Sequence, residues 1–345
     1  MSTRQLPIPP HFDPGAVGRV WRVPYQQRAD EAEAWARLHV LPAAAADRRR
    51  ACLVIVDCQN TFCLPEFELF VGGRSGMGAV EDNVRLCEFI YRNVGLLTEI
   101  VPTLDTHTAI QIFHPVFWID AAGKHPGPHT VISLEEVERG AWRPNPAVAA
   151  SVMDGDARRL QRHALYYVKR LTDRGKYPLM VWPYHSMLGG IGHALVSAVE
   201  EALFFHCVAR SSQTRFQIKG GNPLTEHYSV LHPEIQEGPD GEPIAERDTG
   251  FLQRLLEFDL VIVAGQAKSH CVAWTIDDLL TEVRLRDPKL VEKVYLLEDC
   301  TSPVVVPGVV DFTEEAAAAF QRFAAAGMHV VRSTDPIHAW PGVDR

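Results

Sequence analysis

The chain has 345 residues, a length that holds one large α/β domain with extensions or two ordinary domains. Its 34 basic and 43 acidic residues leave a net charge of −9, which argues against nucleic acid or an acidic membrane surface as partner. With 46% hydrophobic and 22% charged residues, the composition is that of a globular protein, and no apolar run approaches the roughly 18 residues of a membrane span.

Residues 1–10 lack the apolar centre of a secretory signal. The seven cysteines (52, 58, 63, 87, 207, 271 and 300) form no C-x-x-C pair. Neither a disulfide framework nor a cysteine zinc cage is expected, and a reducing cytoplasm is the expected setting.

Residues 1–50 read as an N-terminal arm. Pro7, Pro9, Pro10, Pro14 and Pro24 favour an extended start, and residues 30–40 a short helix capped by Asp30. Such an arm either packs on a neighbouring subunit or trails in solvent. The core opens at Ala51, where C-L-V-I-V-D has the continuous apolar character of a strand buried on both faces. Residues 81–99 carry Val84, Leu86, Phe89, Ile90, Val94 and Leu97 at helical spacing, and 100–104 read as a second strand. An irregular stretch at 121–146 precedes a helix at 154–174 and a brief strand at 178–182. A helix at 192–203 is followed by strands at 204–209 and 214–218. The last third alternates helix 248–258, strand 260–264, helix 270–284, strand 294–297, helix 312–326 and strand 329–331. That alternation predicts an α/β protein with a parallel, doubly wound sheet whose ligands lie beyond the carboxyl ends of the strands. The expected division is the arm, one domain over 51–335 with an insertion at about 119–178, and a tail at 336–345.

The glycine cluster at 72–78, G-G-R-S-G-M-G, matches neither dinucleotide nor P-loop fingerprints and reads as a flexible loop. Three strand ends carry reactive groups: Asp57 in D-C-Q-N-T-F, Lys219 in Q-I-K-G, and Cys271 at the start of a helix in G-Q-A-K-S-H-C. A thiol at a helix N-terminus is favoured as thiolate, and the unsatisfied N–H groups of that turn can receive an oxyanion. A lysine would lower the thiol pKa further, and an aspartate could shuttle its proton. A second constellation is Asp105 and His107, then His114, then His185 in W-P-Y-H. Its mixed oxygen and nitrogen donors suit zinc, iron or manganese, although His114 before Pro115 could simply brace its loop.

Together, V-I-V-D-C-Q-N-T-F at 54–62, D-T-H at 105–107, W-P-Y-H at 182–185, I-K-G at 218–220 and G-Q-A-K-S-H-C-V at 265–272 resemble the isochorismatase-like cysteine hydrolases, and within them the nicotinamidase-type amidohydrolases. The resemblance implies a three-layer α/β/α sandwich around a mainly parallel sheet. It implies a triad in which Cys271 is the nucleophile, Asp57 moves the proton and Lys219 holds both by its charge. It implies an oxyanion hole from the N–H groups of Ala267 and Cys271, with a cis peptide at Gln266–Ala267. It also implies a divalent metal, zinc first, on Asp105, His107, His185 and, less well matched, His114, and aromatic walls from Phe62 and Trp182. The expected reaction is hydrolysis of nicotinamide or a similar small carboxamide to acid and ammonia, in a homo-oligomer. The alternatives are another amide, carbamoyl or ureido substrate, or a non-catalytic binding protein of the same fold. Departures from the family pattern are the arm, the insertion, the six residues between His107 and His114, and Ser186 after His185.

Overall fold

Ala51–Val56 (β1) is buried at every position, as a strand covered on both faces must be. In the computed structural model, which describes residues 5–174 and 177–343, it lies inside a six-stranded sheet. Parts of the expected arm, insertion and tail (residues 1–4, 175–176 and 344–345) fall outside the described residues. The other strands are Glu99–Asp105 (β2), Gln217–Lys219 (β3), Leu260–Gly265 (β4), Val294–Leu297 (β5) and His329–Val331 (β6), in the order β6-β5-β4-β1-β2-β3. The pairs β1–β2, β1–β4, β4–β5 and β5–β6 are all parallel. The longer helices are Tyr25–His39 (α1), Gly78–Arg92 (α2), Ala157–Arg174 (α3), Ser197–Arg210 (α4), Thr249–Leu256 (α5), Cys271–Arg286 (α6) and Thr313–Ala325 (α7).

The chain divides into two compact units. The first comprises Met1–Leu104, Ala194–Gln217 and Thr249–Arg345, and holds the sheet up to the last residues of β2 and β3. Leu53 and Ile55 of β1 and Ile262 and Ala264 of β4 share one apolar cluster with Leu86, Phe89 and Ile90 of α2 and Val199, Ala202 and Phe205 of α4. The alternate residues Val54, Val56, Val261 and Val263 point to the opposite face. There α6 packs against β4 and α7, burying Val272, Ile276, Leu279 and Val283. The layering is α/β/α, as expected.

Three sequence readings change. Helix α1 starts at Tyr25 behind Pro24, so Asp30 lies inside it, where it accepts from Gln26 Nε2 at 3.3 Å. The apolar run at 204–209 is no strand but the second half of α4, and the helix read at 192–203 begins only at Ser197. The misreading has a cause: α4 is packed between α1 and α2, so it is apolar on most sides and loses its 3.6-residue signature. Residues 5–50 fold onto their own unit. Leu6 N–H donates to Arg92 O at 2.8 Å, Arg28 pairs with Glu201 at 3.0 Å, and Arg210 donates to both oxygens of Asp47 at 2.6 and 2.7 Å.

The second unit comprises Asp105–His193 and Ile218–Asp248, and so contains most of the expected insertion. Helix α3 buries Leu160, His163, Ala164, Tyr167, Val168 and Leu171. Short antiparallel pairs join Trp118 to Pro144 and Val131 to Met180, and Ser133 with Glu136 forms a capping box in the stretch read as irregular. No helix among the described residues is long and apolar enough to cross a membrane.

Candidate functional site

In the second unit, β2 ends on Asp105 and β3 on Lys219, and both side chains are buried. Lys219 Nζ donates to Asp105 Oδ1 at 2.9 Å and to the carbonyl of His227 at 2.9 Å. The other carboxylate oxygen, Oδ2, lies 2.7 Å from His107 Nε2 and 3.6 Å from His185 Nε2. Donors bonded tetrahedrally to one zinc at 2.0–2.1 Å stand about 3.3 Å apart, within this range. Asp105, His107 and His185 form a buried group able to hold a metal ion.

The orientation of the imidazoles supports that reading. His107, His114 and His185 each turn Nδ1 to a backbone carbonyl, of Gly220 (3.1 Å), Ala109 (3.2 Å) and Pro183 (2.7 Å) respectively. A ring that donates from Nδ1 presents a lone pair at Nε2, the arrangement of a metal-binding histidine. His114 is not within the group of three, but its ring lies 5.8 Å from those of His107 and His185. Its Nε2 is buried without a hydrogen-bond partner, which suits a fourth donor.

Electrostatics point the same way. Burial alone would raise the Asp105 carboxyl, but His107 and Lys219 hold it well below the usual range. Burial, helped by the charges of His185 and His107, pushes His114 down to about 3. Burial also lowers His185 against the pull of Asp105. At neutral pH these two rings are therefore neutral and able to ligate.

Sequence reasoning missed two neighbours. Gly220 has φ +86°, and a Cβ there would stand 2.7 Å from Asp105 Oδ1 and from His107 Cε1, so only glycine fits against the pair. The glycine of I-K-G was its one signal. His193, which no sequence motif singled out, bonds Thr106 Oγ1 at 2.8 Å beside the group.

The first unit holds the other expected residues. Val56 of β1 pairs with Gly265 of β4, so two adjacent carboxyl ends carry Asp57 and the turn leading to Cys271. Asp57 is fully buried with φ +47°. The Thr103 hydroxyl donates to its Oδ1 at 2.5 Å and accepts from its N–H at 3.1 Å, a brace the sequence did not reveal. Gly265 has φ +113°, and a Cβ would fall 2.1 Å from Val56 O. The Gln266–Ala267 peptide is cis, as the resemblance implied. Ala267 O accepts from the N–H groups of His270 (3.0 Å) and Val272 (3.2 Å), and Cys271 opens α6, 8% exposed. The position favours a thiolate. Burial raises the thiols of Cys52, Cys87 and Cys300, and a bond to Cys63 together with burial raises that of Cys58.

Of the expected aromatic walls, Phe62 lies in the short helix Asn60–Cys63 of the first unit, buried in its core cluster. Trp182 belongs to the second, where its Nε1 donates to Glu226 Oε1 at 2.9 Å. Each unit thus carries its own set: Asp57, Phe62, Ala267 and Cys271 in one, and Asp105, His107, His114, Trp182, His185 and Lys219 in the other.

No family profile matches the sequence, and no curated protein matches it. Solved structures similar to the chain include a nicotinamidase/pyrazinamidase of Acinetobacter baumanii (20% identity, TM-score 0.49, covering 84% of this chain and 99% of that one). A yeast nicotinamidase bound to the inhibitor nicotinaldehyde shares 17% identity, with TM-score 0.49 over 82% of this chain and 99% of that one. A Pyrococcus horikoshii pyrazinamidase in complex with zinc shares 17% identity, with TM-score 0.44 over 82% and 99%.

Proposed function

We propose that the chain is an isochorismatase-like cysteine hydrolase of the nicotinamidase type, converting a small carboxamide to the acid and ammonia. The observation that carries the reading is the buried Asp105–His107–His185 group, with Lys219 on the second oxygen of the same aspartate. It pairs a metal-type donor set with the lysine of the proposed triad. Further support comes from Cys271, which opens the helix after β4, the strand paired with the one that runs into Asp57.

In this reading Asp57 takes the proton of the Cys271 thiol, the thiolate attacks the amide carbonyl, and the N–H groups of Cys271 and Ala267 stabilise the oxyanion. Asp57 passes its proton to the departing ammonia, and water then resolves the thioester with Asp57 as base. Lys219 supplies the fixed positive charge that favours the anionic form of whichever of the two groups has given up the proton. A divalent ion, with zinc the first choice and iron or manganese the alternatives, would be held by Asp105, His107 and His185 with His114 as fourth donor. When bound, it supplies a Lewis acid for a ring nitrogen of the substrate. Phe62 and Trp182 are the proposed walls for a flat ring.

Ammonia release should be measured from nicotinamide, pyrazinamide and carbamoyl-amino acids, with intact-protein mass spectrometry during turnover. An acyl adduct that maps to Cys271 and is lost in Cys271→Ala is the expected result. Full activity of Cys271→Ala would overturn the mechanism.

A further inference from the structure

The glycine cluster at 72–78, left without a function by its failure to match a phosphate loop, packs against Ser302, which is bonded to the turn that leads to Cys271. Gly78 opens α2 so close to Ser302 that a Cβ would stand 2.6 Å from Ser302 Oγ and 2.9 Å from Gly72 O. Gly73, at φ +59°, faces the same serine: a Cβ there would stand 3.5 Å from Ser302 Cβ. Ser302 in turn holds the turn by its backbone: its N–H donates to Gln266 Oε1 at 3.2 Å, and its carbonyl accepts from Lys268 N–H at 2.8 Å.

One turn into α2, buried Asp82 completes the bracket. It accepts from Gln266 Nε2 at 2.9 Å, from Arg85 Nη2 at 2.8 Å and from the Ser302 side chain. Gln266 is wholly buried with both ends of its amide engaged, and its backbone carbonyl begins the peptide whose N–H belongs to Ala267. Every partner of Asp82 is a donor, so the position demands a group that only accepts.

We infer that Asp82, Ser302 and the 72–78 glycine loop form a positioning bracket that fixes the Gln266–Cys271 turn for catalysis. The inference rests on the reading of Cys271 as nucleophile and of Ala267 N–H as an oxyanion donor. Asp82 acts through Gln266 and is a positioning residue. Asp82→Asn sets an amide N–H₂ against donors while conserving shape, and Gly78→Ala pushes Ser302 out of place.

The test uses the full chain, nicotinamide for turnover and iodoacetamide for the thiol, with the folded fraction fixed by thermal melting. Expected for both variants is a kcat per folded molecule about tenfold or more lower with KM within about twofold, since small misplacements cost rate more than binding. The rate of Cys271 alkylation should fall with it. Unchanged kcat and alkylation per folded molecule would overturn the bracket, as would losses that merely track unfolding. If the wild type does not hydrolyse nicotinamide, the substrate reading fails and alkylation alone decides the bracket. If wild-type Cys271 alkylates no faster than the other cysteines, the nucleophile reading fails, and the bracket with it.

Discussion

At Gly220 a single hydrogen atom separates a formed donor set from a broken one. Gly220→Ala would drive a methyl into Asp105 and His107 and strain a left-handed backbone. Zinc affinity, followed by titration calorimetry, should fall about 10–100-fold, the loss seen when groups orienting a metal ligand are disturbed.

His206 gives a pH prediction away from that group. It is buried in α4, donates from Nε2 to Leu97 O at 2.9 Å, and burial pushes it from 6.5 down to about 4. Between pH 6.5 and 4 the unfolded chain therefore binds the proton that the folded chain refuses. Stability is fully present above this window and is lost as pH falls through it, by up to about 3 kcal/mol. His206→Gln, which keeps a donor for Leu97 but cannot titrate, should flatten the dependence of Tm on pH between 4 and 7. An unaltered slope would show that other groups carry it.

At the scale of elements, the contact of α1 with α4 is fastened by a buried ion pair. Burial raises the Glu201 carboxyl, and the Arg28 charge opposes that shift. Arg28→Ala leaves the acid alone in the interior and should cost about 3 kcal/mol, read from urea unfolding. The double variant Arg28→Met, Glu201→Leu should recover most of the loss, because removing both charges removes the desolvation penalty as well. The same contact explains why α4 was misread. Periodicity is visible only when one face meets water, and α4 is covered by α1 on one side and α2 on another. The strands β1 and β4 were legible for the opposite reason: complete burial in a parallel sheet leaves an unbroken apolar run.

For the whole molecule, the proposed metal would couple to stability through this donor set. An ion that binds the folded chain alone stabilises it by about 2.7 kcal/mol at 100 times its Kd. Zinc added to chelator-stripped protein should therefore raise Tm in a concentration-dependent way, and Asp105→Ala should abolish the rise. No shift in the wild type would contradict the metal assignment.

The sequence alone determined the chemistry on offer: Asp57, Lys219 and Cys271 next to strand ends, and an aspartate and histidines spaced for a metal. Those signals are local, because strand burial and helix starts are written in neighbouring residues. Tertiary structure decided what depends on contacts between distant segments. Gly220 meets Asp105 across 115 residues of chain, and Thr103 braces Asp57 across 46. Ser302 reaches Gln266 across 36, and no spacing rule connects such positions. Only packing made the His114 nitrogen an orphan and turned a loop of glycines into a support for the turn before Cys271.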